Sequence, residues 1–190
     1  MKPLPKDLQT PKESLDDFCE VTKRVLGHLP DIVSERVSVK NDKVVFKIPY
    51  PSEQGEKLYS CETDIILSPH DSVKSETISI DNEEVVVSLK TTSKDRMGKI
   101  FLDKLLMQKF AGHSVKVIGI FLNDVQRKET KQISYTFVSG LFMVYTKFLT
   151  ELEGVYFIDP PPITKKTPYN QHISTFSKFV TEDIWGLLSP

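Results

Sequence analysis

The sequence predicts an α/β fold with a mixed central β-sheet flanked by helices. Two observations carry this. Short apolar runs of strand length, Val85–Lys90 and VKVIGIFL from Val115 to Leu122, sit on either side of a stretch with helical periodicity. A further apolar run, GVYFID from Gly154, follows later in the chain, so strands and helices alternate. With 190 residues and 39% hydrophobic content the chain can bury one sizeable core, and one domain spanning residues 1–190 is expected.

The elements follow in order. The first twelve residues, MKPLPKDLQTPK, hold three prolines and three lysines and read as a flexible arm. Ser14 followed by Asp17, Phe18, Val21, Val25 and Leu29 reads as a capped helix ending near Gly27. Val37 to Ile48, with Asn41-Asp42 in its middle, predicts a hairpin that Pro49 and Pro51 close. Tyr59 to Leu67 predicts one strand, and Ser68 to Asn82 a polar segment with a short strand around Ile78 and Ile80. Val85 to Lys90, apolar at its start, predicts a central strand.

Met97, Ile100, Phe101, Leu105, Met107 and Phe110 give an amphipathic helix over Arg96–Phe110, with Gly112 as its stop. Val115 to Leu122 is the next strand, and 123–132 a charged loop. Phe137 to Leu152 carries mixed signals, more helical toward its end. Gly154 to Asp159 is a last strand stopped by three prolines, and Ile173 to Leu188 a terminal helix with Trp185.

Composition narrows the function classes. No apolar run reaches membrane-span length, and the N-terminal residues lack the apolar core of a signal peptide. Cys19 and Cys61 form neither a disulfide framework nor a zinc pattern, which fits two thiols in a reducing cytoplasm. His28, His70, His113 and His172 show no metal-ligand spacing. No glycine-rich phosphate loop is present. The net charge of −1 hides an asymmetry: nine acids against two bases over 51–87, and ten bases against four acids over 88–131. A near-neutral chain can therefore present a basic face to a polyanion.

One stretch asks for a chemical reason. VVVSLKTTSKDRMGK, from Val85 onward, turns from a buried strand into Lys90, Lys94, Asp95 and Arg96 at the start of the helix. Asp64 lies within the preceding apolar strand, 26 residues before Lys90, and Asp103 lies 13 residues after Lys90 on the helix. Paired strands and one helix could bring the three together. Two carboxylates can hold Mg²⁺, and the lysine can orient a water or neutralise phosphoryl charge, which suits phosphodiester hydrolysis. Arginine or lysine can donate to guanine O6 and N7, and a carboxylate can accept from cytosine N4.

Ser88 to Arg96, SLKTTSKDR, resembles the active-site and recognition segment of type II restriction endonucleases of the PD-(D/E)XK superfamily, in the EcoRII and NgoMIV branch. There a small residue replaces the acid before the lysine, and the missing carboxylate comes from the next helix. The resemblance implies a restriction-endonuclease-like core with Asp64, Lys90 and Asp103 as catalytic residues and Asp64 and Asp103 on Mg²⁺. Apart from the resemblance, Glu62 alternates with Asp64 on the same strand face and could support the metal ligands from behind, as could Ser88. By the resemblance, Lys94, Asp95 and Arg96 would read bases; by their own chemistry Thr91, Thr92 and Ser93 can bond phosphate or cap the helix, and Arg127 lies in a basic loop that either contacts phosphate or is simply solvated. The resemblance further implies a homodimer on double-stranded DNA, cutting a palindromic CC/GG-containing site and leaving 5′-phosphates. Thr63 stands where proline is common, Met97 and Lys99-Ile100 replace an aromatic and glutamine, and the helical acid is aspartate rather than glutamate.

Each residue also has a plain structural use. Asp64 can cap a strand end, Lys90 can reach solvent from a sheet edge, Asp103 can pair with Lys99 or Lys104, and the triplet can form a charged first turn. Two alternatives therefore stand beside the restriction enzyme: a structure- or damage-directed nuclease, and a non-catalytic DNA-binding module on the same fold.

Overall fold

The computed structural model describes residues 20–22, 24, 38–40, 44–93, 96–127, 133–135 and 137–189. Its centre is a six-stranded mixed sheet in the order β1-β4-β5-β6-β9-β10. The strands are β1 (Ser38–Lys40), β4 (Ile65–Ser68), β5 (Val85–Thr92), β6 (Lys116–Asn123), β9 (Gly154–Phe157) and β10 (Ile173–Thr175). The pairs β1–β4 and β4–β5 are antiparallel, whereas β5–β6, β6–β9 and β9–β10 are parallel. The run from Val85 is central, as its apolar composition predicts.

Strand alternation gives the sheet two faces, each with its own core. Val86, Val117, Phe121, Val155 and Phe157 pack with Ile100, Phe101 and Met107 of helix α1 (Met97–Ala111) and with Phe142 of helix α2 (Ser139–Phe148). Val85, Val87, Leu89, Ile118, Ile120 and Tyr156 face the other way, onto Phe179 and Ile184 of the C-terminal helical segment. That segment is α-helical at α3 (Phe176–Lys178), a π-turn at Phe179–Asp183 and α-helical again at α4 (Ile184–Leu187). Gly119 lets α1 close in: a Cβ there would stand 3.1 Å from Ile100 Cδ1. Gly112 ends α1 at φ 75°, returning its amide to the Gln108 carbonyl.

The N-terminal half differs from the sequence expectation in pairing. The segment around Ser38 joins the main sheet as β1, and the hairpin lies further on, between β2 (Val45–Ser52) and β3 (Gly55–Glu62). The expected Asn41-Asp42 turn lies outside the described residues. The turn that closes the ribbon has Gly55 at φ 98°, with the Ser52 hydroxyl donating to the Gly55 carbonyl at 2.7 Å. Pro49 and Pro51 sit inside β2 rather than ending it. A two-stranded ribbon has two free edges, so a missing N–H is tolerated.

The expected strand over Tyr59–Leu67 is two strands, β3 in the ribbon and β4 in the main sheet. The break falls at Thr63-Asp64, where the buried Thr63 turns its amide and hydroxyl onto the Val44 carbonyl at 3.0 and 3.2 Å. Around Ile78 only an isolated Glu76–Ser79 bridge forms. The charged loop after Asn123 contains a small hairpin, β7 (Val125–Arg127) with β8 (Ile133–Tyr135). The terminal helix begins later than expected, because Ile173–Thr175 are taken by the sheet edge. Of the expected N-terminal helix, residues 20–22 and 24 are helical; the remainder and the arm lie outside the described residues.

Candidate active site

The antiparallel β4 starts at the edge where the parallel strands end, and this places Asp64 beside Lys90. Ile65 pairs with Val87, so Asp64 stands just beyond the last rung. Its carboxylate continues the ladder: Oδ2 accepts from the Leu89 amide at 2.8 Å. The same oxygen accepts from Lys90 Nζ at 2.9 Å, and Nζ also donates to the Leu89 carbonyl at 2.8 Å. By alternation from Ile66 and Val86, the side chains of Asp64, Ser88 and Lys90 fall on the α1 face. Both charged side chains are largely sheltered, at 23% exposure for Asp64 and 17% for Lys90.

Two oxygens, one anionic, thus converge on a single cationic atom at a sheet edge. Oxygen donors with negative charge suit a hard divalent ion. Among the described residues, Asp64 Oδ1 takes no hydrogen bond, so the carboxylate retains a free coordinating oxygen. The donor set at this edge suits a hard divalent cation.

Asp103 lies on α1, two turns into the helix, and only part of its surface is open. Its Oδ2 accepts from Lys99 Nζ at 2.5 Å, one turn back. Burial disfavours charge on Lys99, yet the Asp103 partner outweighs it and raises the lysine pKa. Asp103 also borders Cys61 on β3. That thiol is pushed up to about 11, first by burial and then by the Asp103 charge. The structure thus brings Asp64 and Lys90 into contact and gives Asp103 other immediate partners.

The remaining candidates divide. Ser88 is half-buried opposite Gly119. Thr91 and Thr92 are half-buried at the end of β5, and Thr92 pairs with Asn123. Ser93 is buried: its hydroxyl donates to Asp124 Oδ1 at 2.6 Å, and its carbonyl accepts the Met97 amide at 3.1 Å. Arg96 is exposed at the helix N-cap. Lys94 and Asp95 lie outside the described residues, as does the side chain of Arg127, whose backbone is in β7. Glu62 ends β3, exposed and in a different sheet from β4.

Three features are missing from the sequence reading. The Ser93–Asp124 bond ties the ends of β5 and β6 together beside the helix start. A cavity of about 400 Å³ opens at this edge, lined by Asp124, Phe137, Pro161, Pro162, Ile163 and Lys166. Among the described residues, three metal-ligating groups lie within 4.8 Å of one another at His70, Asp81 and Glu83, away from Asp64. The only sequence signal for this last group is a polar connection holding a histidine and several acids.

No family model matches the chain, and no curated protein matches it. Solved structures do. The chain is similar to the type IIP restriction endonuclease Kpn2I, with a TM-score of 0.54 and 22% identity over 65% of this chain. It is similar to the restriction endonuclease PspGI, solved with substrate DNA, with a TM-score of 0.59 and 15% identity over 93% of this chain. It spans 39% and 62% of those two chains. The fold is a mixed α/β fold shared with restriction endonucleases.

Proposed function

We propose that the chain is a Mg²⁺-dependent endonuclease that cuts duplex DNA at a palindromic site containing CC and GG, acting as a homodimer. The observation that carries this reading is the 2.9 Å contact between Asp64 Oδ2 and Lys90 Nζ, at the strand ends of a fold shared with restriction endonucleases. Asp64 holds the ion with its carboxylate, and Asp103 serves as the second acid from α1. When bound, Mg²⁺ acidifies a water and neutralises charge on the phosphoryl oxygen. The Lys90 ammonium, released from Asp64, positions that water or meets the charge that grows on phosphorus oxygens. PspGI is solved with substrate DNA, which supports duplex DNA as the partner here.

Lys94, Asp95 and Arg96 stand at the start of α1 in sequence, directly after the strand that carries Lys90. Their donors and acceptor match the major-groove edges of G·C pairs. Thr91, Thr92 and Arg127 provide phosphate contacts, with Ser88 behind the metal ligands; the buried Ser93, bonded to Asp124, and the exposed Glu62 of the ribbon drop out of these roles. A two-fold dimer matches a palindrome and cuts both strands.

The test is digestion of phage-length duplex DNA in Mg²⁺, with Asp64→Ala as control and sequencing of the fragment ends. Discrete ends sharing one short CC/GG motif, lost in the variant, are expected. A second reading, a DNA-binding module without cleavage, is favoured by the bond that commits Asp103 to Lys99. It requires salt-dependent binding of duplex DNA with no nicking in Mg²⁺ or Mn²⁺.

A further inference from the structure

The β4–β5 connection, residues 69–84, lies at the sheet edge opposite Asp64 and Lys90. Roughly 16 Å of β5, from Val85 to Lys90, separates the two places. Here His70 Nε2 stands 3.2 Å from Glu83 Oε2 and 3.5 Å from Asp81 Oδ1. The three ligand atoms lie within 4.8 Å of one another. His70 Nε2 is itself shut off from solvent and makes no hydrogen bond. The nitrogen faces both carboxylates at ion-pair distance, so the three possible ligand atoms converge on one point.

We propose that His70, Asp81 and Glu83 form a binding site for a divalent transition-metal ion of the zinc type, which clamps this connection. The spacing agrees with such an ion. Ligands about 2.0–2.1 Å from a tetrahedral centre sit about 3.3 Å apart; the two nitrogen–oxygen separations bracket that value, and the two carboxylate oxygens lie within 4.8 Å of each other. One imidazole and two carboxylates suit zinc, cobalt or manganese, and the two negative charges balance the ion. Three protein ligands leave one position for water.

The connection is already built to hold the ligands in place. Asp81 Oδ1 accepts from the Glu83 amide at 2.9 Å, and the His70 amide donates to Ser68 Oγ at 3.2 Å. The fully buried Glu84 carboxylate takes the amides of Lys74 and Ser75 at 2.6 and 2.8 Å. His113 Nε2 meets the Ile80 carbonyl at 2.9 Å, tying the loop to the end of α1. The site does not depend on the nuclease reading, since no DNA and no residue of the Asp64–Lys90 pair takes part.

The experiment is titration of the chelator-treated full chain with Zn²⁺ alone and Co²⁺ alone, without DNA, read by calorimetry, cobalt absorption and thermal melting. One equivalent should bind to wild type and to Asp64→Ala, with a tetrahedral cobalt spectrum. Saturating Zn²⁺ should raise Tm by roughly 5–10 °C. Binding should vanish in His70→Ala and weaken at least about tenfold in Glu83→Gln. If His70→Ala fails to fold, His70→Gln keeps the hydrogen-bonding shape and serves instead. No uptake by wild type would overturn the proposal. Binding lost in Asp64→Ala but kept in His70→Ala would overturn it too, by placing the ion at the other edge.

Discussion

Asp64→Asn separates the charge of Asp64 from its bonds. Both hydrogen bonds fall on one oxygen, Oδ2, from the Leu89 amide and from Lys90 Nζ. Asparagine has one carbonyl oxygen that can take the same place, so the ladder beside β5 can persist. The Leu89 bond changes from charge-assisted to neutral and the Lys90 bond loses its anionic acceptor, a loss of about 1 kcal/mol apiece. Partial exposure of both side chains reduces this, and the expected cost is about 1–2 kcal/mol. In a chain of this size that is a fall in Tm of roughly 2–8 °C.

On the proposed nuclease reading, cleavage should fall far more, at least about 10³-fold, because the anionic oxygen proposed to hold the metal is gone. Paired assays decide it: single-turnover plasmid cleavage against Mg²⁺ concentration, and urea unfolding of the same preparation. A variant that cuts within about tenfold of wild type would refute the assignment of Asp64 to the metal. One that loses more than about 4 kcal/mol of stability would show Asp64 to be a structural residue whose charge the fold requires.

Further outcomes follow from neighbouring contacts. Asp103→Ala should abolish cleavage, whereas Lys99→Ala, which removes only the Asp103 partner, should leave single-turnover rates within about tenfold. Lys104 is buried, with Nζ on Glu153 Oε1 and the Glu151 carbonyl, both at 2.6 Å. Lys104→Ala removes one partner of the Glu153 carboxylate, which keeps the Val117 amide and some solvent, and urea unfolding should show a loss of about 1–3 kcal/mol. Cys61 holds its proton up to about pH 11, first through burial and then through Asp103. In a Cys19→Ser background, alkylation at pH 8 should be slow, and Asp103→Asn should speed it. Because the folded value exceeds the ordinary 9.0, this thiol favours the fold below about pH 9, and the benefit disappears as pH rises through about 11.

The parts of the fold that the sequence shows best are those with one dominant period. Val85–Lys90 and Val115–Leu122 are buried on both faces, so nothing competes with the reading of central strands. Met97 to Ala111 shows its buried stripe, and Gly112 gives its end. Pairing is legible only where a turn fixes it. Asn41-Asp42 reads as the stronger local turn signal, yet the hairpin forms across Ser52–Gly55, and Ser38–Lys40 pairs with a strand far along the chain. That choice rests on long-range burial of Phe46 and Cys61 against α1, which no local window contains.

The candidate site divides along the same line. Asp64 and Lys90 meet because each lies at a position that backbone pairing sets: Ile65 opposite Val87 leaves Asp64 one rung from the β5 residues it bonds. A charged residue in an apolar strand is costly unless partnered, and here the partner is a backbone amide plus an ammonium. Asp103 depends instead on the rotation of a helix, and there a neighbouring lysine at i−4 competes for the carboxylate. Spacing along the chain can count the thirteen residues from Lys90 to Asp103 but cannot say which cation wins. The His70, Asp81 and Glu83 group is harder still to read, since its ligands meet only through Glu84 and Ser75 folding a polar connection back on itself. Strand register makes chemistry visible in a sequence; helix phase and loop closure conceal it until side-chain partners are known.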